Sequence, residues 1–246
     1  MTVRTERVGS ALLITIDRPE ARNAVNAAVA QGLSNALDEL ENTPELRVGV
    51  LTGAGGTFSA GMDLKAALKG ESPEIGGRGF GGLTEAELSK PLIAAVEGFA
   101  MGGGFEMALG CDLIVAAEDA KFGLPEVKRG LIAAGGGVVR LPQRIPHHLA
   151  MEMLLTGEPI DGRRAAELGL ANRVVPNGET AAVALQLAEK IAENAPLALA
   201  AVKAVQRADD RWAAQRAEST KLMTTADVRE GMTAFAERRA PQWTGR

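Results

Sequence analysis

Residues 91–127 constrain this chain more than any other segment. They open with an apolar run, PLIAAV at 91–96, which has the length and character of a buried strand. Gly102, Gly103 and Gly104 follow, and FEMAL at 105–109 reads as the start of a helix. Glycines between a strand and a helix let the backbone turn tightly and let a ligand approach it closely. The first N–H groups of a helix have no internal partner and point at whatever lies beyond the turn. That suits an oxygen on which negative charge develops. Glu106 lies one helical turn inside, and a second carboxylate, Glu126, arrives after another apparent strand. A donor pocket flanked by two acid–base groups is a catalytic arrangement.

Composition narrows the partners. The 246 residues can bury a substantial core, as one large domain or as a core with an appendage. A net charge of −4 with interspersed signs sets up no general field for nucleic acid or membrane. Aromatics are scarce, with no Tyr, which argues against base stacking. The lone Cys111 excludes a disulfide framework and reads as a buried structural thiol, since neither His is near it in sequence. No charged-then-apolar leader and no charge-free run of spanning length is present, so the expectation is a soluble cytoplasmic protein.

Along the chain, strand and helix signals alternate, which predicts an α/β fold. LLITI at 12–16 is a strand stopped by Asp17-Arg18-Pro19. Asn26 caps a helix with Val29, Leu33, Ala36, Leu37 and Leu40 at helical spacing, and VGVL at 48–51 is the next strand. TGAGGTFSAGMDLK at 52–65 is glycine-rich but lacks the Lys-Ser/Thr ending of a phosphate-binding loop. It reads as a tight turn with Asp63 capping a short helix, or as a second backbone donor near Met62 aimed at the pocket of Gly103. The Gly77-x-Gly79-x-x-Gly82 match to a dinucleotide fingerprint has no preceding strand, so it is a coincidence. The 71–83 segment reads as a mobile flap over a substrate channel or as a disordered surface loop.

In their order and spacing, FSAGMDL at 58–64, the 91–96 run, GGGFE at 102–106 and FGLPE at 122–126 resemble the crotonase superfamily, the enoyl-CoA hydratase/isomerase family. Glu126 follows Glu106 by 20 positions, which is similar to the family's hydratase spacing. HLAMEMLLTG at 148–157, AAELGL at 165–170 and EGMTAFAERR at 230–239 extend the resemblance over essentially the whole chain. It implies a spiral of repeated ββα units over 1–195, then a helical trimerisation region over 196–246. It also implies an acyl-CoA thioester substrate whose enolate is stabilised by the N–H groups of Met62 and Gly103. Glu106 and Glu126 then handle the water and the Cα proton of an enoyl-CoA hydratase. The acyl-CoA is expected against Arg22, Ala60, Asp63, Leu64, Lys65 and Ala134, with Arg22 at the CoA phosphates. No metal and no cofactor beyond the CoA of the substrate is expected, and the partners are copies of the chain in a trimer or a dimer of trimers. An isomerase using Glu126 alone, or a silent acyl-CoA-binding subunit, are the alternatives.

One departure stands out. Hydratases of the family carry a Pro-Gly pair beside the catalytic water, where this chain has Ala133-Ala134, and the Ala134 methyl is expected to narrow that site. Downstream, Leu149, Met153 and Leu154 face inward on a helix, with Met151, Met153 and Leu155 as core fillers. His147 and His148 receive no role. The helices are expected at 181–194, 196–208 and 212–235, the last as a single rod, with Arg238 and Arg239 as solvated charge or nucleotide contacts.

Overall fold

The computed structural model describes residues 2–246. The hairpin β1 (Val3–Val8) and β2 (Ala11–Ile16) leads to α1 (Ala27–Asn42), which Asn26 caps by accepting from the Val29 N–H at 3.1 Å. There follow β3 (Val48–Gly53), α2 (Leu64–Ala67), the short pair β4 (Glu74–Ile75) and β5 (Gly79–Phe80), β6 (Leu92–Val96), β7 (Phe99–Met101) and α3 (Gly103–Gly110). Next come β8 (Leu113–Ala117), β9 (Lys121–Gly123), a 3-10 turn at Pro125–Arg129, α4 (Gly137–Arg144), α5 (His147–Thr156), β10 (Ile160–Asp161), α6 (Gly162–Glu167) and β11 (Arg173–Val175). Four helices close the chain: α7 (Thr180–Ala192), α8 (Pro196–Arg207), α9 (Arg211–Leu222) and α10 (Ala226–Glu237).

The main sheet runs β1-β2-β3-β6-β8-β11, antiparallel only at its first pair. A parallel sheet is covered on both faces, which explains why its strands are continuous apolar runs. Leu51, Leu92, Ala94, Val96, Ile114 and Ala116 face the core that also holds Val29, Leu33 and Leu37 of α1. Val48, Val50, Ile93, Ala95 and Val115 face the opposite way, against Ala184 and Ala188 of α7. A small second sheet, β10-β9-β7, lies outside the main one. Twice, therefore, the chain runs through a main-sheet strand and a small-sheet strand before turning into a helical segment: β6, β7, α3, and then β8, β9 and the 3-10 turn with α4. The expected spiral of ββα turns is present.

Several expectations need correction. The 71–83 segment is packed in its second half: it holds the β4–β5 pair, Phe80 and Leu83 are buried, and Arg78 donates to the Ser34 carbonyl and hydroxyl, while most of 71–77 is exposed. Its glycines supply positive φ at Gly77, Gly79, Gly81 and Gly82, so they shape a fixed turn. Phe99–Met101 is a strand that sequence reading passed over, being too short to show an alternation. The 212–235 rod is two helices, because the Thr225 hydroxyl caps α10 by accepting from the Val228 N–H. Leu155 is 68% exposed and fills no core.

The 195 division falls between α7, which is part of the sheet packing, and α8. Helix α8 is tied back to the spiral by buried Lys203, which donates to the Lys90 carbonyl at 2.8 Å and pairs with Asp112. Asp112 in turn accepts from the Leu92 N–H at 2.8 Å, so one carboxylate joins the end of α3 and the start of β6 to the body of α8. No helix among the described residues is long and apolar enough to cross a membrane.

The loop between β2 and α1 is organised by Asn23, which is fully buried at positive φ. Its Oδ1 accepts from the Arg18 N–H at 2.9 Å, and its Nδ2 donates to the carbonyls of Ala54 and Thr57 at 2.8 and 2.5 Å. Asn tolerates a left-handed backbone and supplies donor and acceptor together, so no apolar residue replaces it. Asn23→Ala would leave three backbone groups without partners. It is expected to lower unfolding stability by about 2–4 kcal/mol in urea denaturation. A loss within about 0.5 kcal/mol of zero would show that water serves those groups equally well.

Candidate active site

The site is assembled from three backbone turns and two carboxylates. At the first turn, β7 passes into α3 through Gly102, whose φ is +55°. Gly103 opens α3, and a Cβ on it would lie 2.3 Å from Cζ of Phe80, so only glycine fits under that ring. At the second turn, Val25 and Met62 form a parallel bridge: the Val25 N–H donates to the Gly61 carbonyl at 2.8 Å, and the Asp63 N–H donates to the Val25 carbonyl at 2.9 Å. Ser59 locks the same segment to β7, donating from its N–H to the Phe99 carbonyl and accepting from the Met101 N–H at 3.0 Å. Its hydroxyl also donates to the Asn23 carbonyl and accepts from the Gly61 N–H.

The two turns meet at Gly61. Its φ is +86°, and a Cβ there would sit 2.5 Å from the Met101 carbonyl and 2.9 Å from the Gly103 nitrogen. The residue after Gly61 and the residue that opens α3 are thereby held side by side. Among the described residues, neither the Met62 N–H nor the Gly103 N–H has an acceptor within the protein. Two free backbone donors on adjoining turns can serve one oxygen, with the α3 terminus adding its dipole.

Glu106 lies in the first turn of α3 and is 4% exposed. The third turn holds it. Its Oε1 accepts from the Gly137 N–H at 2.9 Å, and the Cα atoms of Gly135 and Gly137 press on the carboxylate so closely that a Cβ at Gly135 would be 2.8 Å from Oε2. The carboxyl is raised to about 7, by burial first and then by the nearby Glu126, against the lowering effect of the Gly137 and Gly135 N–H groups and of Arg140. Glu126 stands on the 3-10 turn at Pro125–Arg129, with Oε1 3.1 Å from where a Cβ of Gly102 would be. Its Oε2 is buried without a hydrogen-bond partner, and burial raises this carboxyl too. An unpartnered buried carboxylate oxygen calls for a proton or a ligand. Two raised carboxyls beside free backbone donors are suited to exchanging protons with a ligand held there.

The remaining expected residues divide. Arg22 is exposed at the end of a 3-10 turn, and its carbonyl accepts from the Ala60 N–H at 3.0 Å, so Arg22, Ala60 and Met62 stand on adjoining loops. Leu64 and Lys65 are exposed at the start of α2. Asp63 has both oxygens engaged: Oδ1 caps α2 through the N–H groups of Lys65 and Ala66, and Oδ2 pairs with Arg18 at 3.2 Å. Those backbone bonds and Arg18 hold its carboxyl below the usual range despite its partial burial. Ala134 is exposed, while Gly135 and Gly137 are the residues against Glu106. Arg239 is engaged by Glu230 and Glu237. Asn23, Ser59 and Phe80 escaped sequence reading; the resemblance placed the stretch up to Gly137 beside the catalytic water, but not Gly135 and Gly137 on Glu106.

A model of the family described as enoyl-CoA hydratase/isomerase matches residues 6–246. A protein of Proteus mirabilis named carnitinyl-CoA dehydratase is 44% identical over 97% of this chain and 96% of its own length. The crystal structure of an enoyl-CoA hydratase from Mycobacterium tuberculosis superimposes with a TM-score of 0.96 at 51% identity, covering 100% of this chain and 99% of that one. That of a carnitinyl-CoA hydratase from Mycobacterium avium gives 0.80 at 48%, with the same coverage. The chain thus belongs to the enoyl-CoA hydratase/isomerase family.

Proposed function

We propose that the chain is a hydro-lyase that adds water reversibly across the 2,3 double bond of an enoyl-CoA. The observation that carries this is the buried pair: Glu106 cradled by Gly137, and Glu126 with an unpartnered oxygen, both beside the free donors of Met62 and Gly103. The thioester oxygen takes the two N–H groups, which bind it more tightly as enolate charge develops. Glu106 orients water and removes its proton as the water oxygen bonds to C3. Glu126 delivers a proton to C2, and the enolate collapses to the 3-hydroxyacyl thioester. One water enters and no atom is left over. The reading calls for no cofactor beyond the CoA of the substrate, which lies along Arg22, Ala60, Leu64 and Lys65.

Relatives named carnitinyl-CoA dehydratase favour a second reading of the same site, in which the physiological direction is loss of water from a 3-hydroxyacyl-CoA. The machinery is identical by microscopic reversibility.

Glu106→Gln and Glu126→Gln keep size and hydrogen bonding while removing proton transfer. Each is expected to lower kcat for crotonyl-CoA hydration by roughly a hundred- to ten-thousand-fold. The double variant should lose far less than the product of the two, since the groups act as a unit. Exchange of the Cα proton of a saturated acyl-CoA with deuterated solvent should survive in Glu106→Gln and vanish in Glu126→Gln. Normal hydration by Glu106→Gln beside a dead Glu126→Gln would favour the isomerase; wild-type rates in both would leave an acyl-CoA-binding subunit.

The burial that raises Glu106 has a thermodynamic counterpart. The unfolded carboxyl ionises near its ordinary 4.5, the folded one near 7, so between those values the folded state binds more protons. Stability from this group is therefore fully present below about pH 4.5 and is lost as pH rises to 7. Glu106→Gln should unfold at higher denaturant than wild type at pH 8, by an amount on the order of 1–3 kcal/mol, and match it near pH 4. Equal stability at both pH values would contradict the raised carboxyl.

The chain is also proposed to assemble as a trimer or a dimer of trimers through the helices after residue 195. Supporting this, Val202, Trp212, Met223 and Phe235 are 62%, 70%, 60% and 87% exposed on those helices. Sedimentation velocity at micromolar concentration should show three or six copies, and a stable monomer would refute the assembly.

A further inference from the structure

Arg140, on α4, is half-buried and turned inward. Its Nη1 donates to the Gly135 carbonyl at 3.1 Å, and its Nη2 donates to the Thr84 carbonyl. The guanidinium lies on Gly136, whose φ is +104°; a Cβ there would be 3.0 Å from Cζ. The three glycines thus divide their contacts, with Gly135 and Gly137 against Glu106 and Gly136 against Arg140. Thr84 ends the 80–84 segment that begins with Phe80, whose ring packs on Gly103. One guanidinium therefore spans from the support of Glu106 to the support of the donor turn.

We propose that Arg140 is a positioning residue for the reaction: by bridging the Gly135 and Thr84 carbonyls it holds the 135–137 cradle, and with it the Glu106 carboxylate, in register with the donor at Gly103. A planar guanidinium reaches two carbonyls from one rigid fork, which a lysine ammonium cannot do in the same geometry. The charge acts as well as the shape. Arg140 favours ionised Glu106, opposed by Glu126 across the site. Arg140 itself faces Arg144 on its own helix, Glu85 beside Thr84, Glu106, and the Cys111 thiol, which burial keeps protonated.

The proposal rests on the hydratase reading, so the experiment needs one readout that is independent of turnover. In protein labelled with carbon-13 at the glutamate carboxyl, the Glu106 resonance is identified by its disappearance in Glu106→Gln and followed against pH. Arg140→Gln should raise its titration midpoint by about half a unit or more, while Arg140→Lys, which keeps the charge, should move it less. Arg140→Lys should nonetheless lower kcat for crotonyl-CoA hydration about tenfold or more, with KM within about twofold of wild type, because misplacing a catalytic group weakens the transition state and leaves substrate binding intact. A wild-type midpoint in folded Arg140→Gln would overturn the proposal. So would wild-type kcat in Arg140→Lys, which decides the matter if Arg140→Gln does not fold. A wild-type protein inert toward every enoyl-CoA would sink the hydratase reading instead, and the titration would still show whether Arg140 governs Glu106.

Discussion

The site depends on one constraint, the approach of backbone to backbone at Gly61. Its missing side chain lets the turn before Met62 rest on the turn before α3, with the Gly103 nitrogen 2.9 Å from where a Cβ would stand. No side chain could be interposed without separating the two free N–H groups. Everything around this contact maintains it. Val25 pairs with Met62, Ser59 pairs with β7, and Asn23 holds the loops behind them. The donors come from main chain because the main chain of packed turns is stiffer than a side chain, and stiffness is what lets a dipole act on developing charge without reorganising.

The carboxylates use the same principle in reverse. Glu106 is kept out of water by Gly135 and Gly137, whose backbone presses on it, with the Gly137 N–H as its hydrogen-bond donor. That under-compensation raises its proton affinity, and Glu126 adds to it from across the site. A better-solvated pair would be more stable and chemically weaker. In the proposed reaction, function is tied to local destabilisation, and the surrounding double-faced core of sheet, α1 and α7 supplies the stability against which it is set.

The candidate residues Glu106, Glu126, Met62 and Gly103 could be picked out in the sequence, because strand–glycine–helix transitions have local causes and because their order resembles a known family. Asp63 was legible in its humbler role as a helix cap, since an Asp before a short helix needs no long-range partner. The 71–83 segment misled because glycine content reports conformational freedom in the unfolded chain and says nothing of what packs on the folded turn. Phe80 and Arg78 anchor its second half through contacts with Gly103 and with Ser34, both far along the chain.

By itself the sequence determined the α/β alternation, the strands buried on both faces and the two helix-turn sites, since each follows from hydrophobic period and local turn chemistry within a few residues. Tertiary structure alone decided which turns meet. That Gly61 lies on Gly103, that Gly135 and Gly137 close over Glu106, and that Arg140 joins Gly135 to Thr84 are matters of contact between segments far apart in sequence, as the Glu106–Gly137 and Arg140–Thr84 bonds are, 31 and 56 residues apart. A glycine in a sequence announces that something can come close; only the folded chain says what does.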